Sequence, residues 1–334
     1  MTGRFERILL TGGAGFIGSH VAEALVGGGA RVAVVDSLDD FYAAERKRAN
    51  LAEVRRAGDF QFHECDIRQE AAMRRVFAAV RPEAVIHLAA RPGVRPSIED
   101  PRLYQQVNVG GTVNLLELAR EAGVRQFVFA SSSSVYGATS SLPFRENHFD
   151  LRPISPYGAT KLAGEMFCHT YAHVHHLPAI CLRFFSVYGP RQRPDLAIHK
   201  FTSLMEADLP VPVFGDGTAG RDYTHVDDIV LGVLAALDYQ PRPAAGEAPF
   251  EVFNLGNSRP VKLNELVDLL ERATGKSARR APQAFPAGDV PITWADTTKS
   301  ERLLGYRPAI GLAEGLRQFV AWYRSTRAVK MAYA

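Results

Sequence analysis

Short apolar runs alternate with helix-period stretches through the first half of the chain. Arg7-Ile8-Leu9-Leu10-Thr11 reads as a strand, followed after a turn by a helical pattern from Ser19 to Val26. Further strands are expected at Arg31–Val35, Phe60–Glu64, Ala84–Leu88, Gln126–Ala130 and Ala179–Phe185. Helices are expected over Arg68–Val80 and, as one long element, from Pro101 to Ala122, stopping at Gly123. Strands alternating with helices predict an α/β fold, a doubly wound parallel sheet with ligands at the carboxyl ends of its strands. After Tyr188-Gly189-Pro190 the regularity stops: Pro and Gly become frequent and short helices mix with short strands through Arg307. The expected division is a main α/β domain over residues 1–188, to which some later segments return, and a smaller mixed α/β lobe over 189–334 folded over the sheet edge.

Between the first strand and helix stands Gly12-Gly13-Ala14-Gly15-Phe16-Ile17-Gly18. Strand, glycine-rich turn and helix form the context in which backbone can approach a pyrophosphate seated on a helix N-terminus. The second strand ends in Asp36, about 20 residues on, where a carboxylate binds both adenosine ribose hydroxyls and repels a 2′-phosphate. NAD is therefore expected rather than NADP. Asp66-Ile67, after the third strand, stands at the usual place of an adenine contact, and the small pair Ala89-Ala90 would let a cofactor pass over the sheet edge.

Candidate chemistry follows the fifth strand. Ser131-Ser132-Ser133-Ser134 is a hydroxyl cluster, and Ser155-Pro156-Tyr157-Gly158-Ala159-Thr160-Lys161 opens a helix. Ser155 suits the N-cap and Pro156 the first helical position, so Tyr157 and Lys161 should share one face. An ammonium beside a phenol favours the phenolate, making Tyr157 a candidate base with a serine hydroxyl to hold the substrate oxygen. His87, inside a strand, reads as a packed core residue. His169, His173, His175 and His176 read as a helix surface rather than a metal site. Arg183 is expected to be structural and Asn254 to lie in a turn.

Composition changes this picture little. Of 334 residues 46% are apolar, enough for a sizeable core, and the net charge of +3 is too small to suggest nucleic acid. The three cysteines, Cys65, Cys168 and Cys181, are widely spaced and fit reduced thiols in a cytosol better than a disulfide framework. The N-terminus shows no signal peptide, and no apolar run approaches the ~18 residues of a membrane span.

Together, Gly12-x-x-Gly15-x-x-Gly18, Asp36, Asp66-Ile67, the serine cluster and Tyr157-x-x-x-Lys161 resemble the extended short-chain dehydrogenases/reductases. Arg183-Phe184-Phe185-Ser186-Val187-Tyr188-Gly189-Pro190 and Gly220-Arg221-Asp222-Tyr223-Thr224-His225-Val226-Asp227-Asp228 resemble their nucleotide-sugar epimerase and dehydratase branch. The resemblance runs from residue 7 to about 325. It implies Ser132 as the catalytic hydroxyl, Tyr157 as the base and Lys161 as its cofactor-binding partner. It implies that Gly12, Gly15, Phe16, Ile17, Gly18, Asp36, Asp66, Ile67, Leu88, Ala89, Asn108 and Phe185 line NAD. On the substrate side it implies Phe214 beside the uracil, Arg221 on the diphosphate and Asp289 on the uridine ribose. Ser134 and Ser186 would face the sugar, and Thr293 would control the room around it.

Dehydratases of this branch carry an Asp-Glu pair where this chain has Ser133-Ser134, and uronate decarboxylases a Glu at the position of Ser134. Without those carboxylates, oxidation and re-reduction at one carbon remain, which is epimerisation. Gly189-Pro190-Arg191-Gln192-Arg193-Pro194-Asp195 resembles the segment whose Arg, before Pro-Asp, meets a hexuronate carboxylate, and an Arg fork suits a planar carboxylate. The resemblance thus implies epimerisation at C4 of UDP-glucuronate to UDP-galacturonate, with UDP-glucose or UDP-N-acetylglucosamine as the alternative. It also implies a homodimer built through a four-helix bundle from the Asn108 and Tyr157 helices.

Overall fold

In the computed structural model, residues 4–139, 141–148, 150–242, 244, 246–285 and 288–332 are described. Strands β1 (Arg7–Thr11), β2 (Arg31–Asp36), β3 (Gln61–Glu64), β4 (Ala84–His87), β5 (Gln126–Ser132) and β6 (Ala179–Phe184) are mutually parallel. A late strand, β10 (Phe250–Leu255), joins them, giving the order β10-β6-β5-β4-β1-β2-β3. Successive β1 residues point to opposite faces. Ile8 and Leu10 pack in one apolar layer and Leu9 in the other, each completely buried. The order reverses between β1 and β4, the switch point at which an open α/β sheet leaves a crevice for ligand.

Helices cover both faces. Helix α1 (Phe16–Gly27) starts three residues earlier than its apolar pattern suggests, because the turn from Gly12 leads straight into it. Helix α2 (Ala44–Ala57) was not legible: its sequence, AERKRANLAEVRRA, is so charged that no apolar face stands out. Helix α3 (Glu70–Val80) and the short α4 (Val94–Glu99) follow. The long helix expected over 101–122 is divided into α5 (Pro101–Tyr104), a π-helical segment Gln105–Gly110, and α6 (Gly111–Glu121). Such wide turns recur at functional sites, and this one carries Asn108. Helix α7 (Pro156–His175) begins as the sequence dictates, with the Ser155 hydroxyl accepting from Gly158 N at 3.1 Å and Pro156 in the first turn.

Beyond β6 the chain turns at Phe185 into β7 (Ser186–Tyr188), which belongs to a second sheet. Helix α8 (Ala197–Glu206), β8 (Val211–Phe214), β9 (Gly220–His225) and α9 (Val226–Asp238) come next. After β10 follow β11 (Pro260–Lys262), α10 (Leu263–Thr274), β12 (Arg280–Gln283), α11 (Thr298–Leu304) and α12 (Leu312–Ala332). The sheet β11-β9-β7 and the pair β12-β8 frame a separate core of Tyr188, Phe201, Leu266, Leu270, Leu316 and Phe319. Its helices are longer than the broken pattern suggested, α12 reaching 21 residues. Helix α9 and β10 return to the first core through Ile229, Val233 and Phe253. Asn254 is not a turn residue: it is fully buried in β10, with its amide donating to Phe144 O and Asp296 O and accepting from the Tyr136 hydroxyl.

Candidate active site

The carboxyl ends of β1, β2, β4 and β5 open onto one groove. It is lined by Gly12, Gly15, Phe16, Ile17, Gly18, Asp36, Asp66, Ile67, Leu88, Ala89, Tyr157 and Lys161. Gly12 has φ +73° and lies against the Ala89 backbone, and a side chain at Gly18 would strike the Gly12 carbonyl. The two glycines therefore let turn, helix and β4 close on each other, leaving the N-terminus of α1 facing the groove. Asp36, 8% exposed, accepts from Ala14 N at 3.1 Å and Leu38 N at 2.9 Å. Burial raises its carboxyl above the usual range, with Lys47 pulling the other way. Asp66 is held by Arg68 at 2.6 Å.

Asn108 and Phe185, also expected on the cofactor, have protein partners of their own. Asn108 is a clamp beneath the groove: its Oδ1 accepts from Arg91 N at 2.7 Å, and its Nδ2 donates to Arg91 O and to Thr160 Oγ1, each at 3.0 Å. It thereby ties the chain after β4 to the helix of Tyr157. Phe185 packs with Tyr136 and Phe144. Its neighbour Phe184, facing the opposite way, lines the groove instead.

Tyr157 and Lys161 line this groove, and the Ser132 hydroxyl lies against the Tyr157 phenol. Lys161, 4% exposed, donates to Ala130 O at 2.7 Å, and its ammonium lies 5.9 Å from the Tyr157 ring centre. Burial pushes its pKa down to about 8, opposed by Cys168, Cys181 and Glu165. Burial raises the Tyr157 pKa, and the opposing groups are the Ser132 hydroxyl and the Arg193 guanidinium. Ser132 is itself oriented, accepting from Ser134 N at 3.1 Å and donating to Ser134 Oγ at 3.2 Å. The Tyr157 ring rests edge-to-face on Tyr104, 6.4 Å between centres.

A buried ion pair supports this corner from below. Glu165, with no exposed surface, accepts from Arg183 Nη2 at 2.7 Å, Arg183 Nε at 2.9 Å and Ser131 Oγ at 2.5 Å. Arg183 stacks on the Tyr136 ring at 4.7 Å, which gives the expected structural role a specific form. His87 is likewise a core residue, its ring nitrogens 2.7 Å from Thr11 Oγ1 and 2.9 Å from Thr112 Oγ1. The helix histidines His169, His173, His175 and His176 are exposed. Among the described residues no group of three or more His, Cys, Asp or Glu is placed to hold a metal.

Of the substrate-side candidates, Arg193 alone lines the groove itself, beside Phe41 and paired with Asp195 at 2.9 Å. Arg191 pairs with Glu23 of α1 at 2.5 Å. Arg221 and Asp289 are bonded to each other at 2.5 Å. The loop bearing Asp289 is anchored to the same strand, because Thr293 N donates to Gly220 O and Thr293 Oγ1 accepts from Asp222 N, both at 3.1 Å. Phe214 carries Arg95 over its ring at 4.8 Å, and Gly288 lies against Val94 and Ile98. Helix α4, which starts two residues beyond Pro92 of the groove, thus meets Phe214 through Arg95 and the neighbour of Asp289 through Val94 and Ile98. Ser186 is half-buried on β7, opposite Tyr223.

Sequence reading missed the wall formed by Asp39, Phe41, Tyr42, Lys47 and Arg91. Arg91 pairs with Asp39 at 2.5 Å, Arg91 and Arg193 both lie over the Phe41 ring, and Lys47 donates to Asp39 O at 2.6 Å. The run Asp39-Asp40-Phe41-Tyr42, just after a strand that ends in Asp36, is the signal that could have found it.

A switch-point crevice, a glycine-rich turn and a Ser-Tyr-Lys set on β5 and α7 define a dinucleotide-binding short-chain dehydrogenase/reductase. The family model described as GDP-mannose 4,6 dehydratase matches residues 9–319, and the chain belongs to that family, within the extended branch of the class. A UDP-glucuronate 4-epimerase of Thermodesulfobacterium geofontis is 42% identical over 315 residues, covering 94% of this chain and 95% of that one. The structure of UDP-glucuronic acid 4-epimerase from Bacillus cereus, in complex with UDP-glucuronic acid and NAD, superposes with a TM-score of 0.88 at 37% identity, covering 96% and 99% of the two chains. UDP-glucose 4-epimerase of Thermotoga maritima with UDP-glucose gives 0.87 at 37% identity, again covering 96% and 99%.

Proposed function

We propose that this protein is a UDP-glucuronate 4-epimerase, interconverting UDP-glucuronate and UDP-galacturonate with bound NAD. The observation that carries this reading is the meeting of Tyr157, Lys161 and Arg193 on the groove that the dinucleotide turn opens, with the Ser132 hydroxyl against the phenol. Relatives and structural neighbours acting on UDP-glucuronate and holding NAD support it. NAD fits what is present: the α1 N-terminus for the pyrophosphate, Asp36 for the adenosine ribose, Asp66-Ile67 for the adenine and Lys161 for the nicotinamide ribose. When bound, it takes up a hydride from the sugar and later returns it.

The chain's own residues move the proton. Tyr157 takes the O4 proton in the oxidation and returns it after re-reduction, with Ser132 bridging phenol and sugar oxygen. Burial raises the pKa of the phenol, and the Ser132 hydroxyl and the Arg193 guanidinium offset part of that rise by favouring the phenolate. Arg221 with Asp289, and Phe214 beyond them, receive the diphosphate and uridine. The 4-keto sugar must then turn over about this fixed tether to take the hydride on its other face. A 4-keto uronate is a β-keto acid prone to losing CO₂, and Arg193 holds its carboxylate out of the alignment that breaks that bond.

Arg193→Ala should therefore raise KM for UDP-glucuronate about tenfold or more and release a UDP-pentose beside the epimer. An unchanged KM with no pentose, followed by NMR, removes Arg193 from the sugar site. A UDP-glucose rate above that for UDP-glucuronate would instead make the chain a neutral-hexose epimerase. Met166, Phe167 and Val174 are exposed on α7 at 50%, 37% and 57%, which favours a homodimer joined through α7 and the Asn108 helix, testable by light scattering. The three free thiols suit a cytosolic setting. No helix among the described residues is long and apolar enough to cross a membrane.

A further inference from the structure

We infer that Asp195 sets the balance between charged and neutral sugars and opens the site to neutral UDP-hexoses as well as to UDP-glucuronate. This rests on Arg193 being the sugar-facing cation of the reading above. Arg193 Nη2 and Nε donate to the two carboxylate oxygens of Asp195 at 2.9 and 3.0 Å, fork against fork. The guanidinium side is the more enclosed, 18% exposed against 37% for Asp195. On its inner side Arg193 lies 5.6 Å over the Phe41 ring and acts on the Tyr157 phenol. The Asp195 fork and the Phe41 ring thus hold Arg193 in place before any substrate arrives.

The consequence follows from charge. An enclosed guanidinium waiting alone for a substrate carboxylate would reject a neutral hexose, because that ligand leaves the cation desolvated and unpaired. Here the cation already has a partner, so a hexose bearing CH₂OH at C6 leaves nothing unsatisfied. A hexuronate meets the opposite situation. Its carboxylate approaches a guanidinium already neutralised and must displace Asp195 or share the five N–H donors with it, against like-charge repulsion. Of the other cations in the wall, Arg91 is paired with Asp39 and Asp40, and Lys47 lies 3.9 Å from the Asp39 carboxylate. Asp195 therefore favours neutral hexoses relative to the uronate and broadens the substrate class.

Calorimetric titration of UDP-glucuronate and UDP-glucose into the NAD-loaded Tyr157→Phe protein tests this without turnover. With Asp195 present, both ligands bind, with dissociation constants within about tenfold of each other. Adding Asp195→Asn should shift their ratio about tenfold toward UDP-glucuronate, and Asp195→Glu should restore it. A ratio that stays the same or moves toward UDP-glucose on Asp195→Asn overturns the inference, as does failure of UDP-glucose to bind when Asp195 is intact. Arg193→Ala separates the two levels of the account. If it weakens UDP-glucuronate while Asp195→Asn changes nothing, only the role of Asp195 falls. If it leaves UDP-glucuronate untouched, the assignment of Arg193 falls and the role of Asp195 with it.

Discussion

Replacing Tyr157 with Phe lowers kcat for UDP-glucuronate by about 10³-fold, within the range that loss of a positioned acid–base group produces. The ring still packs on Tyr104 and the uridine side is untouched, so UDP affinity is retained. Near-wild-type turnover would take Tyr157 out of the mechanism. The pH profile carries a second signature. Burial raises the Tyr157 pKa above its ordinary value and pushes that of Lys161 down to about 8. The active form needs phenolate and ammonium together, so kcat/KM climbs with pH as the phenol ionises. Near pH 8 the climb levels off, because each further gain in phenolate is offset by ammonium lost as pH rises through the Lys161 pKa. A profile that is flat from pH 6 to 8 contradicts this pairing.

Arg183→Ala should destabilise the protein by about 3–5 kcal/mol, the usual effect of breaking a buried ion pair from one side. The substitution leaves Glu165, with no exposed surface, as an uncompensated charge beneath Ser131. It also strips the stacking partner from Tyr136. Denaturant unfolding measures it, and a loss below about 1 kcal/mol, the range of a surface pair, would show that the pair is not buried as described. Converting both Glu165 and Arg183 to apolar residues should recover much of the loss, since no lone charge is then left behind.

The groove and its turn were legible because their chemistry constrains sequence locally. A glycine at positive φ, a carboxylate at a strand end and a Ser-Pro helix start each leave a signature within a few residues. What was not legible depends on contacts far apart in the chain. Lys161 and Tyr157 do share a helix, but the side chain of Lys161 reaches back to Ala130 across to β5, and no spacing rule foretells that. Asn108 sits in a π-turn and Phe185 packs on Tyr136, and neither the turn nor that contact is written in the local sequence. Lys47 is buried within a helix of mostly exposed charges, and only the fold distinguishes it from its neighbours. Both Arg193 and Asp195 could be read from one short motif, but not that they hold each other.

The central claim is that Tyr157 and the bound cofactor remove a proton and a hydride from C4 and restore them within one closed site. The direct test is NMR of UDP-glucuronate deuterated at C4, incubated with the NAD-loaded protein in ordinary water. Internal oxidation and return predicts UDP-galacturonate that keeps its deuterium at C4. Substrate left unchanged, or product whose C4 deuterium has been replaced by solvent hydrogen, would contradict the account.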